Sequence, residues 1–171
     1  MRLVNRLLPL FAVLVVIFLI GCNGESTPSK SGALYPSFEK AIFDQTNAAR
    51  TSAGLSPLVW DDKLAEIARE HSEDMAKNNF FSHTNLQSES PKDRGLRHNY
   101  TVVGENIGKI SPTLMSGDKY EYNSSDGMAK LMMQFWMAGQ HKYNLLNPSF
   151  TSMGVGIAYD GNEYLITQTF K

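Results

Sequence analysis

The chain contains very little cysteine, since Cys22 is the only one among its 171 residues. One thiol cannot form a disulfide within the chain, so the folded part is held together by its core. Basic clusters are also absent: without Arg2 and Arg6 there are 14 basic and 17 acidic residues, a formal charge of −3. This balance gives no electrostatic footprint for nucleic acid and excludes it as an expected partner.

Long apolar runs are confined to the N-terminus, where Arg2 and Arg6 precede residues 7–20. A spanning helix needs about 20 apolar residues, so this shorter run favours a cleaved secretory signal peptide over residues 1–21. The run ends in Leu-Ile-Gly-Cys, which resembles the bacterial lipobox, and Cys22 is then the lipid-bearing first residue of a lipoprotein. More than one acyl chain, such as palmitate, gives a stable membrane anchor. An ordinary thiol or an uncleaved anchor is the alternative.

The stretch after the signal has little to bury. Residues 22–34 are mainly Ser, Gly, Pro and Lys, the composition of a flexible tether. Asn23 resembles the residue that, in bacteria with two membranes, directs lipoproteins to the outer one. We therefore expect one extracytoplasmic domain over residues 35–171, held at a bacterial membrane by lipid on Cys22.

Apolar residues at helical spacing predict two helices in the first part of this domain. The first extends over about residues 37–53. The second begins at the capping residue Asp61 or Asp62 and ends near Asn79. His71 lies on the inner face of the second helix and is expected to be a core histidine, whereas His98 is expected at the surface.

Two further helices are predicted in the second part. Pro91 at a first-turn position indicates a short third helix. Asp126 is expected to cap a fourth helix over residues 127–138, which has almost no polar face and is predicted to be buried. Its stripe of Met and aromatic residues is interpreted as core rather than as a lipid groove, and Trp60 and Trp136 are also assigned to the core.

The strands are predicted around turn signals. Residues 152–159 and 163–170 flank Asp160-Gly161, which indicates an antiparallel hairpin. Residues 101–103 are predicted as a strand before Gly104, and residues 109–126 as a long surface loop. Helices on both sides of these strands predict an α+β fold, a three-layer α-β-α sandwich with a small antiparallel sheet.

Three short strings occur in a fixed order ahead of a glycine-rich strand. They are Phe81-Ser82-His83, Gly104-Glu105-Asn106 and the segment Trp136 to His141, followed by Gly154-Val155-Gly156. Together they resemble the compact bacterial branch of the CAP superfamily, also called the SCP or PR-1-like domain, over residues 35–170. The resemblance implies the same three-layer sandwich.

The resemblance also implies that His83, Glu105 and His141 surround one surface cavity. Two imidazoles and a carboxylate are a recognised ligand set for zinc or another divalent cation. The same residues could instead supply a general base and a proton donor, although no catalytic role is assigned to any of them. Fuller members of the family carry Trp-x-x-Glu, and this chain has Gly139 in place of that glutamate. A purely structural network, with Glu105 paired to His141, is the remaining alternative.

Other family residues are expected to shape the backbone. Gly104 is expected where a side chain would not fit, with Glu105 inward and Asn106 as scaffold. Three functions stay open: a module that binds a small ligand, a lipid or an envelope partner, a metal-assisted hydrolase, and an envelope or host-interaction scaffold. The sequence has no G-x-S-x-G motif, and its single cysteine is assigned to lipid, so serine and cysteine nucleophiles are not expected.

Overall fold

A computed structural model describes residues 35–111 and 124–171. The predicted signal peptide, Cys22 and the tether lie outside these ranges, as does most of the predicted loop 109–126. In the described ranges no helix is both long enough and apolar enough to cross a bilayer. The elements, in chain order, are α1 (Tyr35–Ser52), β1 (Val59–Trp60), α2 (Asp62–Asn78), α3 (Pro91–Arg97), β2 (Gly104–Ile110), α4 (Ser125–Ala138), α5 (Lys142–Leu145), β3 (Ser152–Tyr159) and β4 (Tyr164–Phe170).

The four strands form one sheet in the order β1-β3-β4-β2. The strands β3, β4 and β2 are antiparallel, whereas β1 runs parallel to β3, with Val59 opposite Ser152. The predicted small antiparallel sheet is formed by β2, β3 and β4, and the two-residue strand β1 adds a parallel neighbour at its edge, which makes the whole sheet mixed. Parallel neighbours need a long connection between them, and here the chain from β1 to β3 includes α2 and the elements that follow it.

Helices cover both faces of the sheet, so the predicted three-layer α-β-α arrangement is confirmed. Alternate residues of β3 face α2 on one side and the main core on the other. That core contains apolar residues of α1, α4, β3 and β4, among them Phe38, Ile42, Met132, Trp136, Val155, Ile166 and Phe170.

The helix α2 lies directly on β3 because two glycines allow it. A Cβ added to Gly154 would lie 2.0 Å from the backbone nitrogen of Ala65, and one added to Gly156 would lie 2.1 Å from that of Arg69. On the same face Ser72 donates a hydrogen bond to the carbonyl of Gly156 at 2.9 Å. The Gly-Val-Gly string is thus a platform for a helix.

The capping signals predicted α2 well and α4 less well. Asp61 caps α2 by accepting from the backbone nitrogens of Lys63 and Leu64, as predicted. At α4 the cap is Ser124, which accepts from the nitrogen of Gly127, and not the predicted Asp126. Ser124 lies one residue before the helix, where a side-chain oxygen reaches the free N–H groups, whereas an acid in the first turn acts only through the helix dipole.

The strand β2 also differs from its prediction. Residues 101–103 lie outside it, and pairing begins where Gly104 meets Phe170 and continues to Ile110. The family string Gly104-Glu105-Asn106 is therefore part of the strand and does not follow it. A Cβ on Gly104 would lie 2.8 Å from the ring of Phe150, which confirms the close approach predicted for this glycine. The hairpin at Asp160-Gly161 is confirmed, with Gly161 at φ +102°.

Candidate functional site

The predicted site lies at the β2 edge of the sheet, where the two helical layers meet. Glu105 is opposite Thr169 on the face that α2 covers, because Thr169 bonds to the carbonyl of Leu64. The next residue, Asn106, faces the other layer and bonds to the carbonyl of His141 at 3.2 Å. Successive residues of one strand therefore reach both histidine segments.

His83 is held by a buried ion-pair network. Its Nδ1–H donates to Oε1 of Glu105 at 2.8 Å, and the guanidinium of Arg94 donates to the other oxygen of Glu105. The side chains of Glu105 and Arg94 are 1% and 2% exposed, whereas that of His83 is 51% exposed. The carboxylate fixes the imidazole tautomer, which leaves Nε2 of His83 as the nitrogen with a lone pair.

The backbone that carries His83 is pinned on both sides. Nη1 of Arg94 donates to the carbonyl of His83 at 2.9 Å. Nε2 of His71 donates to the carbonyl of Ser82 at 2.9 Å. His71 is 1% exposed, so the prediction of a core histidine is confirmed. Arg94 and His71 thus hold the loop after α2 in one position.

His141 follows α4 and is fixed through its backbone. Asn144 donates to the carbonyl of Glu105 and to Oδ1 of Asn106, both at 2.9 Å. Burial lowers the pKa of His141, and the repulsion that its charged form would meet from a charged His83 lowers it further. His141 is therefore neutral at pH 7, with a lone pair available for a proton donor or a cation.

A cavity of about 500 Å³ lies between these segments. It contains both imidazoles beside a largely apolar wall, and its lining is Phe81, Ser82, His83, Ile107, Gly108, Lys109, Met132, Phe135, Trp136 and His141. The prediction that α4 is buried on every side is wrong, because Phe135 is 55% exposed. The helix turns one face to this cavity. Part of the stripe assigned to the core is therefore cavity wall, while Met132 and Trp136 are buried and serve both purposes.

The three predicted residues are brought together in two different ways. His83 and His141 line the cavity, whereas Glu105 stands behind His83 and is not part of that lining. Glu105 pairs with His83 and Arg94, and so the alternative of a Glu105–His141 pair is not what the structure shows. Asn106 is buried and bonded on several sides, as expected of a scaffold residue.

In the part of the chain that the structure describes, one group of three side chains has its ligand atoms within 4.8 Å of one another: Glu66, Glu70 and His98. His98 was predicted at the surface, but its side chain is only 16% exposed and forms a hydrogen bond with Glu70 at 2.8 Å. The zinc assignment to His83, Glu105 and His141 stays a prediction. In the predicted zinc site, the imidazoles of His83 and His141 fit as direct ligands, and Glu105 fits as the residue that orients His83.

Sequence reasoning missed Arg94 and the exposed wall of α4. The signal for Arg94 was the segment Pro91-Lys92-Asp93-Arg94, which belongs to the bacterial pattern but whose contact with Glu105 is not local in sequence. Trp60 was assigned to the core and is half-buried, with its ring against that of Phe43 and its Nε1 on Asp62.

Comparison with known proteins supports the resemblance. The model of the cysteine-rich secretory protein family, CAP, matches residues 43–170. The membrane protein YlbC of Bacillus subtilis, which is uncharacterised, is 38% identical over 122 residues, covering 70% of this chain and 31% of its own length. The uncharacterised protein YkwD of the same organism is 34% identical over 148 residues, covering 85% and 49%. The chain thus spans less than half of either relative.

Two solved structures are similar as well. An extracellular protein with an SCP domain from Bacillus anthracis has 33% identity and a TM-score of 0.59, over 80% of this chain and 41% of the other. An outer surface protein of Borrelia burgdorferi has 18% identity and a TM-score of 0.60, over 78% and 92%. At that lower identity the second similarity shows the fold alone.

Proposed function

The chain belongs to the CAP family of cysteine-rich secretory proteins, and we propose that it is an extracytoplasmic binding module. It is anchored to the bacterial membrane through lipid on Cys22. Its cavity binds a small ligand with an apolar part, and His83 and His141 bind the ligand's polar end or a zinc ion that holds it. Because the chain covers only part of its relatives, this proposal concerns the domain described above.

One observation carries the proposal: an open cavity of about 500 Å³ that combines an apolar wall with two imidazoles. Small-molecule sites are concave and mostly apolar, with a few placed polar groups. The rings of Phe81 and Phe135 are 44% and 55% exposed and supply apolar surface to the cavity wall. Lys109, which is ion-paired with Glu163 at 2.7 Å, lies 5.7 Å from the centre of the Phe81 ring on the same wall.

The donor atoms suit a divalent cation. His83 presents Nε2 because Glu105 holds Nδ1, and the lowered pKa of His141 leaves that imidazole neutral. A carboxylate behind a ligating imidazole is a common outer-shell partner in zinc sites. When bound, zinc supplies a Lewis acid that holds a carbonyl or an anionic group. The residues themselves orient the imidazoles and surround the ligand with apolar side chains.

Zinc titration of the full-length lipidated protein in detergent tests the site. Isothermal calorimetry should show saturable binding, which His83→Ala and His141→Ala each abolish while circular dichroism stays unchanged. His98→Ala is the matched control, because it removes an imidazole from the group with Glu66 and Glu70 instead. Zinc binding lost only in His98→Ala, or retained in both cavity variants, would contradict the proposal.

The anchor is tested separately. The lipobox-like end of the signal supports it, and one relative is named a membrane protein. We expect Cys22→Ser to move the protein from the membrane fraction to the soluble extracytoplasmic fraction or to leave an uncleaved precursor, because the acylated thiol is gone. A mature Cys22→Ser protein that still sediments with membranes would rule out the lipid anchor.

A hydrolase is the second candidate, and the His83–Glu105 pair favours it. A buried carboxylate that orients an exposed imidazole is an arrangement suited to a general base. Cleavage of a fluorogenic peptide library that His83→Ala abolishes would support hydrolysis. A scaffold without ligand predicts a different result: His83→Ala would lower the melting temperature, and no titration would show binding in either protein.

A further inference from the structure

The cavity that contains His83 and His141 has a neighbour on the other side of His83. This neighbouring cavity has a volume of about 440 Å³, and its lining is His83, Ser90, Pro91, Lys92, Val102, Val103, Gly104 and Glu105. His83 lines both cavities, and its side chain is 51% exposed. The two cavities together form the β2 groove, with His83 in its middle.

The β2 groove follows the outer edge of the edge strand β2. Gly104 and Glu105 at the start of this strand line one cavity, and residues 107–109 toward its end line the other. The inner edge of β2 pairs with β4 along its whole length. Ile107 packs on the side of α2, whereas Met132 belongs to α4, so a cavity lined by both opens at the edge of the strand and not at one face.

The length of β2 sets the size of a ligand that fills the groove. The strand has seven residues, and at about 3.3 Å for each residue it spans roughly 20 Å. An extended peptide of about six residues covers the same distance. A compact small molecule fills one of the two cavities and leaves the other empty.

The accessible side chains change in chemical character along the β2 groove. At one end Phe81 and Phe135 are 44% and 55% exposed and form an apolar wall. The imidazole of His83 is polar and lies in the middle. At the other end Val103 is 56% exposed and Lys92 is exposed as well. A ligand in the groove can contact each of these side chains, since all are exposed and line it.

Lys92 supplies the accessible charge at its end of the groove. In the ranges that the structure describes, no carboxylate forms an ion pair with it. The carboxylate of its neighbour Asp93 accepts hydrogen bonds from the backbone and the hydroxyl of Ser90 instead. The side chain of Glu105 is 1% exposed and already ion-paired. This end of the groove therefore favours an anionic group.

The combination of length, apolar wall and single cation excludes several classes of ligand. A glycan has no strongly apolar group for the wall, and an acyl chain would place methylene groups against the imidazole. Nucleic acid carries a phosphate on every nucleotide, whereas the unpaired lysine of the described lining is Lys92, because Lys109 pairs with Glu163. An extended peptide carries side chains of different character at regular intervals.

We propose that the β2 groove binds an extended peptide segment, with an apolar side chain against Phe81 and Phe135 and a carboxylate at Lys92. The polar main chain of the middle residues passes His83. The proposal rests on the binding function proposed above and names the class of its ligand. The carboxylate belongs either to an acidic side chain or to the C-terminus of the peptide.

Matched synthetic peptides are the probes. The first is acetyl-Phe-(Ser)n-Glu-amide, made with about two to five serines to bracket the span of the groove. In the second, the neutral peptide, Gln replaces Glu, and the third is the Gln peptide with a free C-terminal carboxylate. Each is titrated calorimetrically into the full-length lipidated protein in phosphatidylcholine nanodiscs, and zinc is titrated into the same preparation.

We expect saturable one-to-one binding, with a carboxylate peptide about tenfold tighter than the neutral peptide of the same length, the effect of one hydrogen bond to a charged group. The carboxylate peptide that shows the gain identifies the side chain or the C-terminus as the source. In Lys92→Ala the carboxylate and neutral peptides should bind equally, because the ammonium group that distinguishes them is gone. Lys77→Ala is the matched control: this exposed lysine of α2 lines neither cavity, so the tenfold difference should remain.

The outcomes separate this proposal from the zinc site. Zinc binding without any peptide binding overturns the peptide proposal and leaves the proposed function intact for another ligand. Equal binding of carboxylate and neutral peptides to the wild-type protein also overturns it, as does a tenfold difference that persists in Lys92→Ala. Loss of both zinc and peptide binding contradicts the two proposals together. Peptide binding that depends on Lys92 without zinc binding supports the peptide proposal and removes only the metal.

Discussion

Arg50 is a buried cation that serves as a connector between distant parts of the chain. It is 1% exposed and donates to the carbonyls of Ser56, Leu145, Asn147 and Phe150 at 2.9 to 3.4 Å. No carboxylate in the described ranges forms a salt bridge with it, and burial lowers its pKa. Its guanidinium therefore fixes the segment after His141 to α1 by hydrogen bonds alone.

We expect Arg50→Lys to be strongly destabilising, by about 3 kcal/mol or more. The ammonium group cannot reach four carbonyls arranged for a planar fork, and the carbonyls left behind are desolvated. Urea denaturation followed by circular dichroism measures the change. Lys40→Ala, in an exposed pair on the same helix, should stay within about 0.5 kcal/mol. An Arg50→Lys loss as small as that of the control would show that the connector is dispensable.

The position of the missing family glutamate remains open to a side chain. A Cβ on Gly139 would lie 3.5 Å from Nδ1 of His141, an ordinary contact, and the residue has φ −109°, which any amino acid adopts. We expect Gly139→Glu to raise the pKa of His141, because a carboxylate favours the charged imidazolium. NMR titration of the ring measures it, with Gly139→Ala as control. Equal pKa values in both variants would show that the acid does not reach the ring.

At the level of elements, the contact between α2 and β3 depends on the absence of two side chains. We expect Gly154→Ala and Gly156→Ala each to cost about 3 kcal/mol or more, because the new Cβ would overlap the helix backbone, which cannot move aside like a flexible side chain. The melting temperature should fall by about 10 °C in calorimetry. Gly139→Ala is again the neutral control, and equal melting temperatures for all three variants would contradict the close contact.

The elements that the sequence predicted well are those determined by neighbours along the chain. Asp61 bonds to nitrogens two and three residues ahead, and the Asp160-Gly161 turn joins adjacent strands. The parallel pairing of β1 with β3 was not predicted, because two residues carry no periodicity and their partners are about ninety positions away. The contact of Arg94 with Glu105 was missed for the same reason, although both segments were recognised as family strings.

At the level of the whole molecule, the fold combines an apolar core with buried polar bridges between layers. Gln168 donates to Thr46 of α1, and Thr169 donates to the carbonyl of Leu64 in α2, so β4 is bonded to both helical layers. These contacts take the place of a cross-link, since the sequence has only one cysteine. The sequence predicted that the core alone holds the domain together, and the structure adds these buried hydrogen bonds to the core.

The stability of the whole domain should decrease in mild acid. Burial lowers the pKa values of His71 and His141, and for His71 the nearby Glu105 offsets part of the effect while Arg94 adds to it. Below the ordinary histidine pKa of about 6.5, the unfolded chain binds protons that the native protein does not. The free energy of unfolding therefore decreases as the pH is lowered. The fall continues until the native histidines are protonated.

Urea denaturation at steps between about pH 7.5 and about pH 5 measures this dependence, a range in which histidine is the side chain that titrates. His141→Ala should show a smaller decrease than the wild-type protein, because one of the two lowered pKa values is gone. A free energy of unfolding that stays constant or rises toward acid pH in the wild-type protein would contradict the burial of neutral histidines.

The place of β4 in the sheet constrains when the protein can fold. This strand is the last element in the chain order, yet it lies between β3 and β2 and pairs with both. A nascent chain that lacks it leaves β2 without a neighbouring strand and both helical layers without their shared support. Non-local pairing of this kind is slow and late in folding. The sheet therefore cannot be completed until residues 164–170 are available, and a chain truncated before β4 should not reach the native fold.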